Sequence, residues 1–229
     1  MKKKKILIVL TKEKIFNKEY EFNVWLNETI EFYDEITKLG YKCLFASLNK
    51  INITIDQYSL NLANKIERKW IQNKQFQKYL LNSTKHLKEL NPDEFSAIFL
   101  AGGYGAFNDY YKNITLNKFL LRLYENNAYI CTCSRGLIAL LNLKNNDGEH
   151  LLHNRKLTAI SNEEEKLNLM IDKLPFLLEN KLRILKVNYT KSLPYYEYVI
   201  QDEQFISAQN PQSSRKLAII LNQNLMNKA

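Results

Sequence analysis

The chain has 229 residues, 45% of them hydrophobic, with 33 basic against 24 acidic side chains for a formal charge of +9, and three cysteines. That length supports one substantial core, read as a single domain over 1–229 with an insertion. The lysines are scattered apart from Lys2–Lys5, so the basicity reads as composition and not as a nucleic-acid surface. No apolar run is long enough to span a membrane, and an odd cysteine count without zinc spacing suits a reducing cytoplasm.

The start, MKKKKILIVLTKEK, imitates a secretory leader, but its apolar core, residues 6–10, is too short and charge returns at Lys12. Lys5–Leu10 instead predicts a first strand, its unbroken apolar run suiting a parallel sheet covered on both faces. A polar loop over 11–21 follows. Residues 23–39 predict a helix, with Trp25, Thr29, Phe32, Ile36 and Leu39 recurring at helical spacing and Gly40 ending it. Glu28 lies at the edge of that stripe. By pattern alone it is a capping or snorkelling acid of the first turn; partial burial would raise its pKa. Residues 41–47 predict a second strand, which completes a βαβ unit. Residues 49–92 exceed a minimal repeat. They are read as a helical insertion or cap, helical over 61–90, with Trp70, Phe76 and Tyr79 serving packing.

Phe95–Leu100 predicts a buried strand that runs into Ala101-Gly102-Gly103-Tyr104-Gly105. The chain has six glycines, and three fall in this loop, so the backbone there either turns tightly or offers N–H groups to a ligand. It is not a phosphate loop, because no Gly-Lys-Ser/Thr follows. A helix over 115–126 leads to AYICTCSRGLIALL, residues 128–141. This stretch reads as a buried strand, a corner at Ser134-Arg135-Gly136, and a helix, which places Ser134 in the crevice at the carboxyl edge of a sheet. Further on, 151–152 with 156–158 suggest a short hairpin. Ser161 to Glu165 opens a helix running to about 178, with acids in its first turn. Strands are expected over 182–187, 196–200 and 204–208, the last two paired through a turn. Asn210-Pro211 opens the final helix.

The motifs KKILIVLT, WLNETIEFYDEITKLGY, SAIFLAGGYGAFNDY, CSRGLIALL, LTAISNEEE, PFLLEN and FISAQNPQSS together resemble the ThiJ/PfpI superfamily, in its heat-shock-chaperone and glyoxalase III branch. The resemblance covers nearly the whole chain. It implies an α/β, flavodoxin-like sandwich with a mostly parallel sheet and helices on both faces, usually a homodimer, working without a cofactor. It also implies glyoxalase, deglycase or holdase activity and a cysteine nucleophile followed by His at the elbow. Carried across, the helix acid falls on Glu28. The Gly-Gly-His-Gly loop falls on Gly102, Gly103, Tyr104 and Gly105, and the acid that orients the His falls on Glu165. Matching Gly136 and Ala139-Leu140-Leu141 puts the nucleophile on Ser134 and the His on Arg135; making Cys133 the nucleophile would need an extra residue inside the corner.

A serine hydroxyl is not ionised by the field that ionises a thiol, and Arg135 cannot accept a proton. The expectation is therefore weak or absent glyoxalase activity toward a small aldehyde. The alternatives are a non-catalytic chaperone-like or small-anion-binding protein, and a Ser134-dependent hydrolase with Glu28 as base. Arg135 either serves an anionic ligand or pairs internally with Glu165. Neither a glutamine amidotransferase His-x-Glu nor a Gly-x-Ser-x-Gly motif is present.

Overall fold

The computed structural model describes residues 5–11, 25–48, 57–82, 84–145 and 147–228. The polar-loop expectation therefore lies outside them beyond Thr11, as do the start of the insertion and Lys2–Lys4. The elements are β1 (Lys5–Leu10), α1 (Leu26–Lys38), β2 (Lys42–Ser47), α2 (Gln57–Asn61), α3 (Lys65–Gln72), α4 (Lys74–Asn82), β3 (Lys85–His86), β4 (Phe95–Leu100), α5 (Ala106–Asp109), α6 (Ile114–Glu125), β5 (Tyr129–Cys133), β6 (Lys156–Leu157), α7 (Asn162–Leu167), α8 (Leu178–Ile184), β7 (Asn188–Tyr189), β8 (Val199–Asp202), β9 (Phe205–Ala208) and α9 (Ser214–Asn227).

One seven-stranded sheet runs in the order β3-β2-β1-β4-β5-β9-β8, and all its pairings are parallel except the antiparallel β8–β9. This is the flavodoxin-like α/β sandwich expected. Strand alternation splits the core in two. Leu7, Val9, Ile98, Leu100 and Ile130 face α6, α8 and the segment after the elbow. Ile6, Ile8, Leu10, Ala97, Phe99, Tyr129, Cys131 and Cys133 face α1, α4 and α9. Chain direction across the sheet reverses between β1 and β4, and open α/β folds place ligands at the carboxyl ends of strands beside such a switch. Two side chains brace that edge: Thr11 Oγ1 donates to the carbonyl of Gly102 at 2.9 Å, and the buried Tyr110 hydroxyl donates to the carbonyl of Val9 at 2.9 Å.

On the second face Arg215 of α9 reaches Glu31, Asp34 and Glu35 of α1 at 2.7, 2.9 and 2.6 Å. That network fixes the helix whose first turn carries Glu28. The insertion also covers this face. Trp70 and Phe76 pack on Tyr33, and Phe76 and Tyr79 pack on Phe45, so its aromatics are core.

The insertion is not one helix over 61–90. It is broken into α2, α3 and α4, and 85–86 form an edge strand on β2. Asparagines cut it: Asn64 caps α3 in a capping box with Glu67, and Asn73 ends α3 while its side chain accepts the Phe76 N–H of α4. The hairpin near 151–158 is absent. Lys156–Leu157 pairs in parallel with Asn188–Tyr189, and His150 instead bridges Lys144. The helix from Ser161 stops at Leu167, because Leu169 takes a left-handed backbone at φ 58. Residues 182–184, expected in a strand, belong to α8, where Leu178 and Leu182 bury one helical face. Four-residue spacing in so short an apolar run imitates a strand.

Candidate functional site

β5 ends at Cys133, and the chain turns at Ser134 with φ 53 into a 3-10 helix over Ser134–Leu140. A left-handed serine is uncommon and costs energy, which makes the corner a strained strand-to-helix elbow. Tight packing holds it there. A Cβ on Gly136 would stand 2.1 Å from the Leu100 carbonyl oxygen, so only glycine lets this helix sit against the end of β4. A Cβ on Gly102 would lie 2.8 Å from the Cys133 carbonyl oxygen, 3.0 Å from Glu28 Oε1 and 3.1 Å from the Arg135 nitrogen. The loop after β4, the elbow and the first turn of α1 therefore converge on one point.

Alternation along β5 separates Cys133 from Ser134. Cys133 points into the α1–α9 face, where its thiol donates to the Asn210 carbonyl at 3.2 Å and lies 3.3 Å from Ser214 Oγ. Burial, with Glu28 nearby, pushes this thiol well above the ordinary range, so it is an inert core group. Ser134 is 2% exposed, and its Oγ has no hydrogen-bond partner. Glu28 is 1% exposed, and neither carboxyl oxygen makes a hydrogen bond of good geometry with the protein. Burial raises its pKa to about 7, although the Cys133 thiol, the Gly102 backbone and the Arg135 charge temper the rise. The reading of Glu28 as a capping or snorkelling acid is thereby corrected, and the partial burial its position suggested is nearly complete: it is a buried carboxylic acid with its pKa raised to about 7.

Arg135 does not face a ligand with a free charge. Its Nε and Nη2 donate to Glu165 Oε1 and Oε2 at 2.9 and 2.6 Å, and both side chains are buried. Its guanidinium also stacks 3.8 Å above the Tyr104 ring. Tyr104 and Arg135, both at positions where the resemblance places His, thus form one stacked, paired unit. The other loop residues divide. Gly103, at φ 87, and Tyr104 border the cleft; Gly105, at φ −55, is right-handed and opens α5; Gly102 and Gly136 serve close packing.

The cleft over Ser134 holds about 600 Å³ and is walled by residues from α1, the elbow and the segments around α7 and 195–212. Several of these were not singled out from the sequence. Glu164 is the main one. It is fully buried, and it accepts from the Ser161 N–H, the Tyr195 N–H, Gln209 and Asn210, at 2.9 to 3.0 Å. It pins the far wall of the cleft. Its legible signal was the Ser161-x-x-Glu164 capping-box spacing. None of the three histidines lines the cleft, and His150 is committed to the Leu141 carbonyl and the Leu152 N–H. Among the described residues no group of three or more His, Cys, Asp and Glu is set to hold a metal ion, and no helix is long and apolar enough to cross a membrane.

No family model matches the chain. It is 26% identical over 150 residues to a putative glutathione-independent glyoxalase of Schizosaccharomyces pombe, a match covering 61% of this chain and 58% of the relative, so less than two thirds of that relative is spanned. Among solved structures, the Rapid Encystment Protein 24 KDa of Francisella tularensis superposes with a TM-score of 0.91 at 30% identity, covering 97% of this chain and 99% of its own. Glyoxalase III of Candida albicans superposes at 0.85 with 20% identity, covering 96% of each chain. A ThiJ/PfpI domain protein of Brachyspira murdochii superposes at 0.63 with 17% identity, covering 97% of this chain and 96% of its own.

Proposed function

This chain belongs to the ThiJ/PfpI superfamily, and we propose that it is a glyoxalase III-like carbonyl-binding protein whose elbow has exchanged a thiol for a hydroxyl, so that conversion of methylglyoxal is weak or lost. The observation that supports this is the pairing at the elbow: Ser134 carries an unpartnered buried hydroxyl there, while the neighbouring thiol of Cys133 is turned into the opposite core.

The chemistry follows from proton inventory. A thiol at a helix N-terminus can be ionised near neutral pH and can attack an aldehyde carbon without further help. A serine hydroxyl must lose its proton to a base within hydrogen-bond reach. Arg135 cannot serve, and Glu165 has already taken up its guanidinium. Glu28 holds its own proton up to about pH 7 and makes no hydrogen bond to Ser134. The floor of the cleft therefore donates hydrogen bonds to a bound carbonyl oxygen better than it generates a nucleophile. The same inventory weakens the hydrolase reading, and Glu165 takes up the charge that Arg135 would otherwise offer an anionic ligand.

Leucines exposed at the cleft mouth, Leu62, Leu167 and Leu169, favour a non-catalytic binding role as the second reading. Lactate formation from methylglyoxal by the purified wild type, Ser134→Ala and Glu28→Gln tests the proposal. Wild-type lactate formation close to the buffer rate is expected. Turnover far above buffer that both substitutions abolish would overturn the proposed loss of activity. The family reading also carries a homodimer, which sedimentation of the purified chain tests; a species of single-chain mass contradicts it.

A further inference from the structure

The cleft is larger than a three-carbon aldehyde needs, and its mouth is apolar. About 600 Å³ is in the range of clefts that enclose drug-sized ligands, and a molecule the size of methylglyoxal would leave most of it to water. Its polar groups are concentrated at the floor. Ser134 Oγ is buried without a partner, and the buried Glu28 carboxyl makes no hydrogen bond of good geometry, whereas such groups are normally satisfied. A carbonyl oxygen placed there would accept from the Ser134 hydroxyl and from the single O–H of the protonated Glu28 carboxyl.

The remaining charges in and behind the walls are already neutralised or saturated. Arg135 is engaged by Glu165 and stacked on Tyr104, and Glu164 is filled by N–H donors from three segments. Among the described residues that line the floor, none offers a free positive charge to an anion.

The mouth has the opposite character. Leu62, Leu167 and Leu169 stand 56%, 58% and 78% exposed on it, with Met170 beside them. Leu169 and Tyr195, which border the same opening, both hold left-handed backbones at φ 58 and 64. Leu169 follows the C-terminus of α7, a position where glycine is usual. A bulky residue in this region is a true outlier, and strain of this kind gathers at ligand sites. Here it is held in place by the Tyr195 N–H on Glu164 and the Tyr195 hydroxyl on Asn168 Oδ1, at 3.0 and 2.9 Å. The strained backbone presents an apolar side chain to the opening instead of burying it.

We propose that the elbow cleft selects uncharged carbonyl compounds carrying an apolar chain of several carbons, with the carbonyl on Ser134 and Glu28 and the chain along the leucine lip. This rests on the reading of the cleft as a carbonyl-binding site and adds its selectivity.

Calorimetric titration of the full chain with acetamide, hexanamide and hexanoate tests the selectivity without any turnover. Each fully buried methylene is worth about fourfold in affinity, so partial burial of four methylenes should make hexanamide bind at least about tenfold more tightly than acetamide. At about pH 8, with Glu28 ionised, hexanoate should bind at least about tenfold more weakly than hexanamide. Leu169→Asp suits an exposed left-handed position, since Asp tolerates that backbone, and it should lower hexanamide affinity about fivefold or more while leaving acetamide unchanged. Equal binding of the two amides, hexanoate as tight as hexanamide, no binding of any probe, or an unaltered Leu169→Asp variant would each overturn the proposal. If chain-length selectivity fails while Ser134→Cys gains methylglyoxal turnover, this inference alone falls. If selectivity holds while that variant gains none, the glyoxalase-like reading falls and this one stands.

Discussion

Replacing Glu28 by Gln removes the one buried carboxyl at the elbow that titrates near neutrality, and its effect on stability can be worked from the structure. In the unfolded chain this carboxyl ionises near 4.5; in the folded protein, desolvation raises that to about 7. Between those values the native state holds a proton that the unfolded state has released, so stability falls as pH rises through the interval and levels off above about 7. At 1.36 kcal/mol for each tenfold change, the full loss is about 3 kcal/mol. The group is buried, so solvent does not screen this penalty away. Glutamine carries no such charge. The difference in unfolding free energy between Glu28→Gln and the wild type should therefore move by about 3 kcal/mol in favour of the variant from about pH 4 to about pH 8. For a chain of this size that corresponds to a shift of about 6–12 °C in the difference between their melting temperatures. Urea or thermal melts of both proteins across this range make the measurement, and the other carboxyls cancel in the difference. Parallel stability curves for the two proteins would refute the burial argument.

Other substitutions probe the frame around that carboxyl. Gly136→Ala forces a Cβ onto the Leu100 carbonyl and should cost at least about 3 kcal/mol or prevent folding, read by urea melts and soluble yield. Glu165→Gln leaves Arg135 buried with its counter-charge gone and one acceptor oxygen left, and should cost about 3–5 kcal/mol, whereas Arg135→Met with Glu165→Met should recover much of that loss in the same melts. Cys133, directed at Asn210 and Ser214, should resist iodoacetamide in the native protein and react only after unfolding, which mass spectrometry of the labelled peptide checks.

The parts of this fold that were legible are those buried on both faces. β1 and β4 have the predicted limits, because central parallel strands leave unbroken apolar runs between polar segments. The elbow was legible because a scarce glycine, Gly136, stands three residues past the end of an apolar strand. The stretch over 150–190 was not. Its helices are six and seven residues long and its strands two, too short for either period to declare itself. At the site, the internal Arg135–Glu165 pair was one of two readings of Arg135, and the geometry selects it. Glu28, at the edge of its stripe, pointed to partial burial and a raised pKa; the spacing did not show that the burial would be almost complete. Glu164 showed only its capping-box spacing from Ser161; that Asn210, Gln209 and the Tyr195 backbone, far along the chain, would close around it was not legible.

The central proposal is that the elbow keeps the family's pocket but carries a hydroxyl at Ser134 in place of the thiol, with Arg135 and Tyr104 in place of the two histidines. Lactate formation from methylglyoxal by Ser134→Cys, set beside the wild type, tests this most directly. Turnover at least about tenfold above wild type, and lost again when Glu28→Gln is added, is the predicted result. A folded Ser134→Cys protein whose new thiol is alkylated readily, yet which turns over no more methylglyoxal than the wild type, would contradict it.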